Sequence, residues 1–262
     1  MELDLTGNVA LVTGSGTGLG HACAEALSRQ GVDVALASPN IDDLAYASDR
    51  LHALGDGDIF SLEADVRDPG QIGSFVDETV AQYGGIDHLV TGPRPLEPTA
   101  LADATDEHWF RAFDRSFMSV VWTLREAYPH LDESRHGTVV NVTSPAIGPL
   151  ADELGVANSF RGAVTGLTRT AAHALAPSVR VNAVLPGPHD IEDMELLLTE
   201  LVDAGYCDSL DDAWAELLRE TPFDSPGDPL DLGKAVAFLS SDHAGFINGT
   251  VLRVDGGSMA GD

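Results

Sequence analysis

Lysine is almost missing from this chain. Lys234 stands alone beside 13 arginines, and these 14 cations face 42 carboxylates, for a formal charge of −28. No basic patch can be assembled from so few cations, which excludes nucleic acid and anionic membrane surfaces as partners. The carboxylates run along the whole chain rather than forming a tail. That pattern fits a salt-adapted cytoplasmic protein, kept soluble by an acidic coat where salt screens repulsion. Cysteine is scarce too. Cys23 and Cys207 lie far apart, so neither a disulfide framework nor a thiolate metal site is expected. The nine histidines form no H-x-x-x-H or other clustered pattern, so no catalytic metal is expected. No apolar run approaches the ~18 residues that cross a bilayer. The opening MELDLTGNVALVTG carries neither the basic nor the apolar part of a signal peptide, and a cytoplasmic location is the expectation.

What is present is a regular alternation. With 44% hydrophobic residues over 262 positions, the chain can bury a full core as one domain spanning 1–262. Short apolar runs predict strands over 8–13, 33–38, 58–65, 87–91, 137–143, 179–185 and 249–255. Between them, amphipathic spacing predicts helices over 18–30, 41–54, 70–84, 106–133, 155–176 and 229–241. Strands that read as continuous apolar runs are buried on both faces. The fold class is therefore α/β: a Rossmann-type, doubly wound parallel sheet of about seven strands in a three-layer αβα sandwich. Segment 188–226 interrupts the rhythm with two amphipathic stretches, IEDMELLLTELVDAG and SLDDAWAELLRE. It follows the sixth strand, so it would overhang the carboxyl ends of the strands, where ligands bind in such sheets. The segment reads as a substrate-side lid or as a packed helical excursion.

The motif LVTGSGTGLGHACAEAL (11–27) follows the first strand and opens the first helix. Gly14 permits a tight exit from the strand. Gly18 lets backbone approach a diphosphate, and Gly20 allows close helix–strand contact. The helix N-terminus then offers N–H groups and partial positive charge to phosphates. This T-G-x-x-x-G-x-G form resembles the short-chain dehydrogenase/reductase family. Four further segments in order strengthen the resemblance: EADVRD (63–68), VNVTS (140–144), VRVNAVLPGP (179–188) and FINGTVLRVDGG (246–257).

The resemblance implies an NAD(P)-dependent oxidoreductase acting on a small-molecule carbonyl or alcohol. It places the diphosphate on Thr13, Gly14, Thr17, Gly18, Leu19 and Gly20. The adenosine goes to Ser38, Asp65 and Val66, and the nicotinamide half to Thr91, Gly92, Arg161, Pro186 and Gly187. An acid at the end of the second strand would mark NAD, and a nearby arginine NADP. The chain has Ser38-Pro39-Asn40 there, so the choice between NAD and NADP stays open.

At the reactive end the chain departs from the family. Family members carry a tyrosine as proton donor and a lysine four residues on. Here Ser144 stands at the family's serine position, but Ala157 and Arg161 replace the tyrosine and the lysine. Ser116 stands for a helix asparagine, TGPR (91–94) for N-N-A-G, and His189 and Ile191 for a valine and a threonine. Residues 151–162 contain no tyrosine and no lysine. ANSFR (157–161) and TGPR resemble a divergent branch of the same family. Candidate catalytic groups are Ser144, Arg161, Asn158 and His189. Histidine is a usable acid at neutral pH, although His189 reads equally as a polar hinge of the lid. Arg94 and Arg161 could instead grip an anionic substrate or sit in salt bridges. Of the four tyrosines only Tyr206, in segment 188–226, could reach a substrate, and it reads otherwise as packing.

Two other readings stay open. One is a dinucleotide-binding pseudoenzyme or regulatory subunit. The other is a lyase or dehalogenase on the same fold. By resemblance, the helices near 106–133 and 155–176 would pair subunits into a homo-oligomer, a tetramer or dimer.

Overall fold

β1 (Val9–Thr13, VALVT) is buried at every position. So are β4 (His88–Thr91) and β5 (Thr138–Val142). A strand with no polar face can be satisfied only with helices on both sides of its sheet. The computed structural model describes residues 2–92, 99–143, 154–203, 205–219, 221–223 and 225–258. In it, β2 (Asp33–Ser38), β3 (Ile59–Glu63), β6 (Arg180–Pro186) and β7 (Val251–Val254) complete a seven-stranded sheet in the order β3-β2-β1-β4-β5-β6-β7. Every pairing is parallel. The Rossmann-type α/β architecture expected from the alternation is the one observed. The chain winds outward in one direction from β1 to β3, then restarts on the other side of β1 with β4. The carboxyl ends of β1 and β4 therefore splay apart, and this switch point is where such sheets hold ligands.

Helices cover both faces. α1 (Gly18–Ser28), α2 (Ile41–Leu54) and α9 (Pro229–Ser240) enclose a core that includes Leu27, Leu36, Leu44 and Val236. α3 (Pro69–Tyr83), α5 (Ser119–Glu133) and α6 (Gly155–Ala174) close the other face, over Phe75, Leu89, Leu131 and Val181. Cys23 is fully buried, which pushes its thiol up to about 12 and leaves it inert. Both cysteines are free. No helix among the described residues is long and apolar enough to cross a membrane.

One predicted element is corrected. The helix expected over 106–133 is not continuous. α4 (Asp106–Ala112) runs into a π-helical stretch, Phe113–Met118, before α5 begins. Wide turns of this kind occur at functional sites more often than elsewhere. Here the stretch carries Ser116, which is 4% exposed. Amphipathic spacing does not signal it, because six residues are too few to establish a period of their own. Segment 188–226 does hold two helices, α7 (Glu192–Asp203) and α8 (Leu210–Leu218). They share a small core of Leu198, Leu201, Ala213 and Leu217.

A buried histidine makes the sheet sensitive to acid. His88 is fully buried in β4. Its Nε2 lies 3.0 Å from the Asn8 amide and its Nδ1 2.8 Å from the Thr138 hydroxyl. Burial pulls its pKa down to about 4. The folded value lies below the unfolded one, so below about pH 6.5 the unfolded chain binds the extra proton. The stability that depends on neutral His88 is complete above that pH and is lost as pH falls toward 4, a loss on the order of 3 kcal/mol. Urea melts of wild type and His88→Gln between pH 7.5 and 4.5 should show the wild type losing ground against the variant as pH drops. A pH-independent difference would refute the assignment.

Candidate active site

Three glycines shape the end of β1. Gly14 has φ +63°, and a side chain there would strike the Gly92 carbonyl at the end of β4. The Gly92 amide in turn donates to Thr13 Oγ1 at 3.2 Å. The splayed ends of β1 and β4 are thus tied together by backbone that no larger residue would admit. Gly20 lies against the Gly14 carbonyl, which seats α1 directly on the turn. Gly18, with φ +59°, has no neighbour this close within its own turn. α1 also lacks a cap: Thr17 occupies the N-cap with no side-chain bond to the helix amides. By contrast, Asn40, Asp68, Thr105, Ser209 and Asp228 each accept from the first turn of their helices. Uncapped amides behind a glycine turn fit the diphosphate of a dinucleotide.

Ser15, which sequence reading passed over, holds this turn in place. It is fully buried. Its hydroxyl donates to the Val12 carbonyl at 2.9 Å and accepts from the Ala37 amide at 3.0 Å, and its own amide donates to the Ala37 carbonyl. The glycine turn is therefore stitched to the end of β2, where Ser38 is buried at 4% exposure. Farther along this edge, Asp65 is clasped by the Arg67 guanidinium, which holds its carboxyl below the usual range. Val66 is buried beside it.

A chain of buried hydroxyls and amides positions the other half. The Thr91 hydroxyl donates to Asn141 Oδ1 at 2.7 Å, and Asn141 Nδ2 donates to Thr168 Oγ1 at 2.9 Å. Thr91 is thus committed to the scaffold, where it pins α6 to β4 and β5. On α6, Ala157 is 2% exposed, while Asn158 and Arg161 are half-buried. Arg161 Nη1 donates to Asn158 Oδ1 at 3.1 Å. Burial pulls the Arg161 guanidinium down to about 10. No carboxylate among the described residues pairs with it, whereas Arg29, Arg50, Arg67, Arg111, Arg125 and Arg219 all have one. Ser144 and Arg94 lie outside the described residues.

Beyond β6, Pro186 is buried and the Gly187 amide donates to the Val254 carbonyl at 2.9 Å. His189 is 3% exposed. Its Nδ1 lies 2.9 Å from the Gly187 carbonyl, and its ring packs on Gly227. Tyr206, in the α7–α8 connection, is 61% exposed. α7 brings a residue with no forewarning in the motif. Asp193 Oδ2 lies 3.2 Å from where a Gly18 side chain would begin, and Ile191 Cδ1 lies 3.8 Å from that point. The start of α7 thus rests on the glycine turn, with the Asp193 carboxylate nearest to Gly18. Among the described residues no group of three or more His, Cys, Asp or Glu could hold a metal ion.

Residues 14–259 match the family model described as enoyl-(acyl carrier protein) reductase. An uncharacterized oxidoreductase of Methylorubrum extorquens is 32% identical over 255 residues, covering 97% of this chain and 98% of that protein. The 3-oxoacyl-[acyl-carrier-protein] reductase of Staphylococcus epidermidis is 31% identical, over 95% of this chain and 97% of its own. The crystal structure of L-sorbose reductase from Gluconobacter frateurii, complexed with NADPH and L-sorbose, superposes with a TM-score of 0.88. It is 26% identical, and 99% of each chain is covered.

Proposed function

The chain belongs to the short-chain dehydrogenase/reductase family of oxidoreductases. On that premise we propose that it interconverts a small carbonyl compound and its alcohol through a site built without the usual tyrosine and lysine. The cofactor is a nicotinamide dinucleotide, NAD or NADP, which when bound supplies or takes up the hydride. The observation that carries this reading is the uncapped N-terminus of α1 behind Gly14, Gly18 and Gly20, at the β1–β4 switch point. These residues hold the diphosphate.

At the reacting end, Arg161 and Asn158 offer N–H donors to a carbonyl oxygen, and the family resemblance assigns Ser144 the same task. These donors would stabilise negative charge developing on the carbonyl oxygen. The proton that completes the alcohol comes from water, because Ala157 has none and Arg161 stays charged at neutral pH. His189, folded back on Gly187 and Gly227, holds the turn. An absent general acid typically costs ~10²–10⁴ in rate, so slow turnover is expected. NADH and NADPH fluorescence titrations, followed by cofactor consumption over a panel of small carbonyl compounds, test the reading. Binding with slow turnover that falls further in Asn158→Ala supports it. Binding with no turnover on any compound would refute the catalytic part.

Segment 188–226 serves as the lid in this reading, and Asp193 is its latch. The Asp193 carboxylate stands beside Gly18, so its charge would oppose that of an entering diphosphate, and the start of α7 would move off when cofactor enters. Asp193→Asn is expected to tighten NAD(P)H binding by about tenfold at low salt, the effect of one like charge near a surface. The gain should shrink as salt rises. Unchanged affinity would remove the latch.

The partner of this chain is a second copy of itself, docked through α4, the π-helical stretch and α6. Trp109 and Phe113 each meet Phe160, and Phe113 stacks on Phe117. Phe110 beside them is 70% exposed. An aromatic face of this kind on an otherwise acidic molecule suits a self-complementary contact.

A further inference from the structure

Asp43 and Ser38 converge on one residue of the glycine turn. A Cβ on Gly16 would lie 2.9 Å from the Asp43 Cβ, 3.0 Å from the Ser38 Cβ and 3.0 Å from the Ser38 Oγ. Gly16 belongs to the turn that takes the diphosphate, and Ser38 ends β2. The corner between them is where this architecture receives the adenosine ribose. The strand end supplies no acid there. The structure supplies one from the next helix: Asp43 sits in the first turn of α2.

Among the described residues, the nearby arginines Arg50 and Arg67 are already matched. Asn40, between Ser38 and Asp43, spends its side-chain oxygen on capping α2. Arg50 is paired with Glu25 at 3.5 Å, and Arg67 with Asp65. No cation among Ser15, Gly16, Thr17, Ser38, Pro39 and Asn40 is available to a phosphate.

We propose that Asp43, with the Ser38 hydroxyl, selects NAD(H) over NADP(H) by accepting from the ribose 2′-hydroxyl and repelling a 2′-phosphate. The inference rests on the dinucleotide reading of the crevice and assigns the open choice of cofactor. A hydroxyl donates to a carboxylate at no electrostatic cost, whereas a phosphate brings like charge to within a few ångströms of Asp43. For two such charges near a surface, the discrimination is roughly 10- to 100-fold. It weakens as salt screens the pair. Asp42, also in the first turn of α2 but fully on the solvent side, is the internal control. Both acids favour the α2 dipole, and only Asp43 approaches Gly16.

The test is a fluorescence titration of the full chain with NADH and with NADPH, at two salt concentrations in which it is folded. Wild type, Asp43→Asn and Asp42→Asn are compared. The wild type should bind NADH at least about tenfold more tightly at the lower salt. Asp43→Asn should cut that ratio by about tenfold, chiefly by tightening NADPH, and Asp42→Asn should leave it alone. A wild type that favours NADPH, or an Asp43→Asn ratio equal to wild type, overturns the role of Asp43 while leaving the dinucleotide site standing. Failure of all three proteins to bind either nucleotide overturns the dinucleotide reading, and the proposal with it.

Discussion

Gly20→Ala is expected to lower the melting temperature by about 6–12 °C and to weaken dinucleotide binding at least tenfold. A Cβ at this position meets the Gly14 carbonyl head-on, with Gly14 C at 2.8 Å and Ser15 Cα at 3.3 Å. All three neighbours are backbone, so no flexible side chain can swing aside. α1 must lift off the turn, or the turn must distort. Overpacking costs about 1–3 kcal/mol, and rigid neighbours put this case at the upper end. For a domain of this size, 1 kcal/mol moves the midpoint by about 2–4 °C. The same distortion displaces the first amides of α1 from the diphosphate, so stability and affinity fall together. Gly73→Ala in α3 provides the contrast. Nothing lies within 4 Å of a Cβ there, and alanine should stabilise the helix by about 0.5–1 kcal/mol. Thermal melts and NADH titrations of the two variants decide the matter. A Gly20→Ala protein that melts with the wild type would show that helix and turn are not in contact as described.

Arg161→Met is expected to raise stability while lowering turnover by about 100-fold. The guanidinium is half-buried beside the neutral Asn158 amide, with no carboxylate partner among the described residues, and burial pulls its pKa down to about 10. The direction of the linkage follows from that. The folded value lies below the ordinary arginine value, so at every pH below about 10 folding carries the full cost of desolvating a charge. That cost is relieved only as pH rises beyond 10. Replacing such a charge by an apolar side chain of similar length can stabilise a fold by about 1–4 kcal/mol. Partial exposure of Arg161 places the gain near the low end. Function should move the other way, because methionine offers no N–H to a carbonyl oxygen, and removing one such donor costs ~10²–10³ in rate. Arg161→Lys keeps the charge without the planar fork and should fall between the two. Calorimetry with single-turnover kinetics separates the effects. A variant that is more stable and equally active would release Arg161 from the site, and one that is less stable would show that its charge is compensated.

The seven strands and the helices between them were legible in the sequence because their signals are local. A strand such as VALVT announces burial on both faces within five residues, and the glycine turn needs only its own backbone angles. The break in the helix over 106–133 was not legible, since six π-helical residues are too few to establish a period of their own. The departures at Ala157 and Arg161 could be read from the chain directly. What surrounds them could not, because the environment of Arg161 is set by residues from several elements packed against α6.

By itself, then, the sequence determined the alternation of strands and helices, the parallel winding of the sheet, the glycine turn after its first strand and the absence of a tyrosine from α6. Each follows from side-chain periodicity, from backbone freedom at a few positions or from the identity of a single residue. Only the tertiary structure decided which acids stand against the glycine turn. It sets Asp43 against Gly16 and Asp193 against Gly18, commits Thr91 to Asn141, and folds His189 onto Gly187 and Gly227. These are contacts between segments far apart along the chain, fixed by how α2 and α7 dock on the sheet, and no local pattern encodes the docking of one element on another.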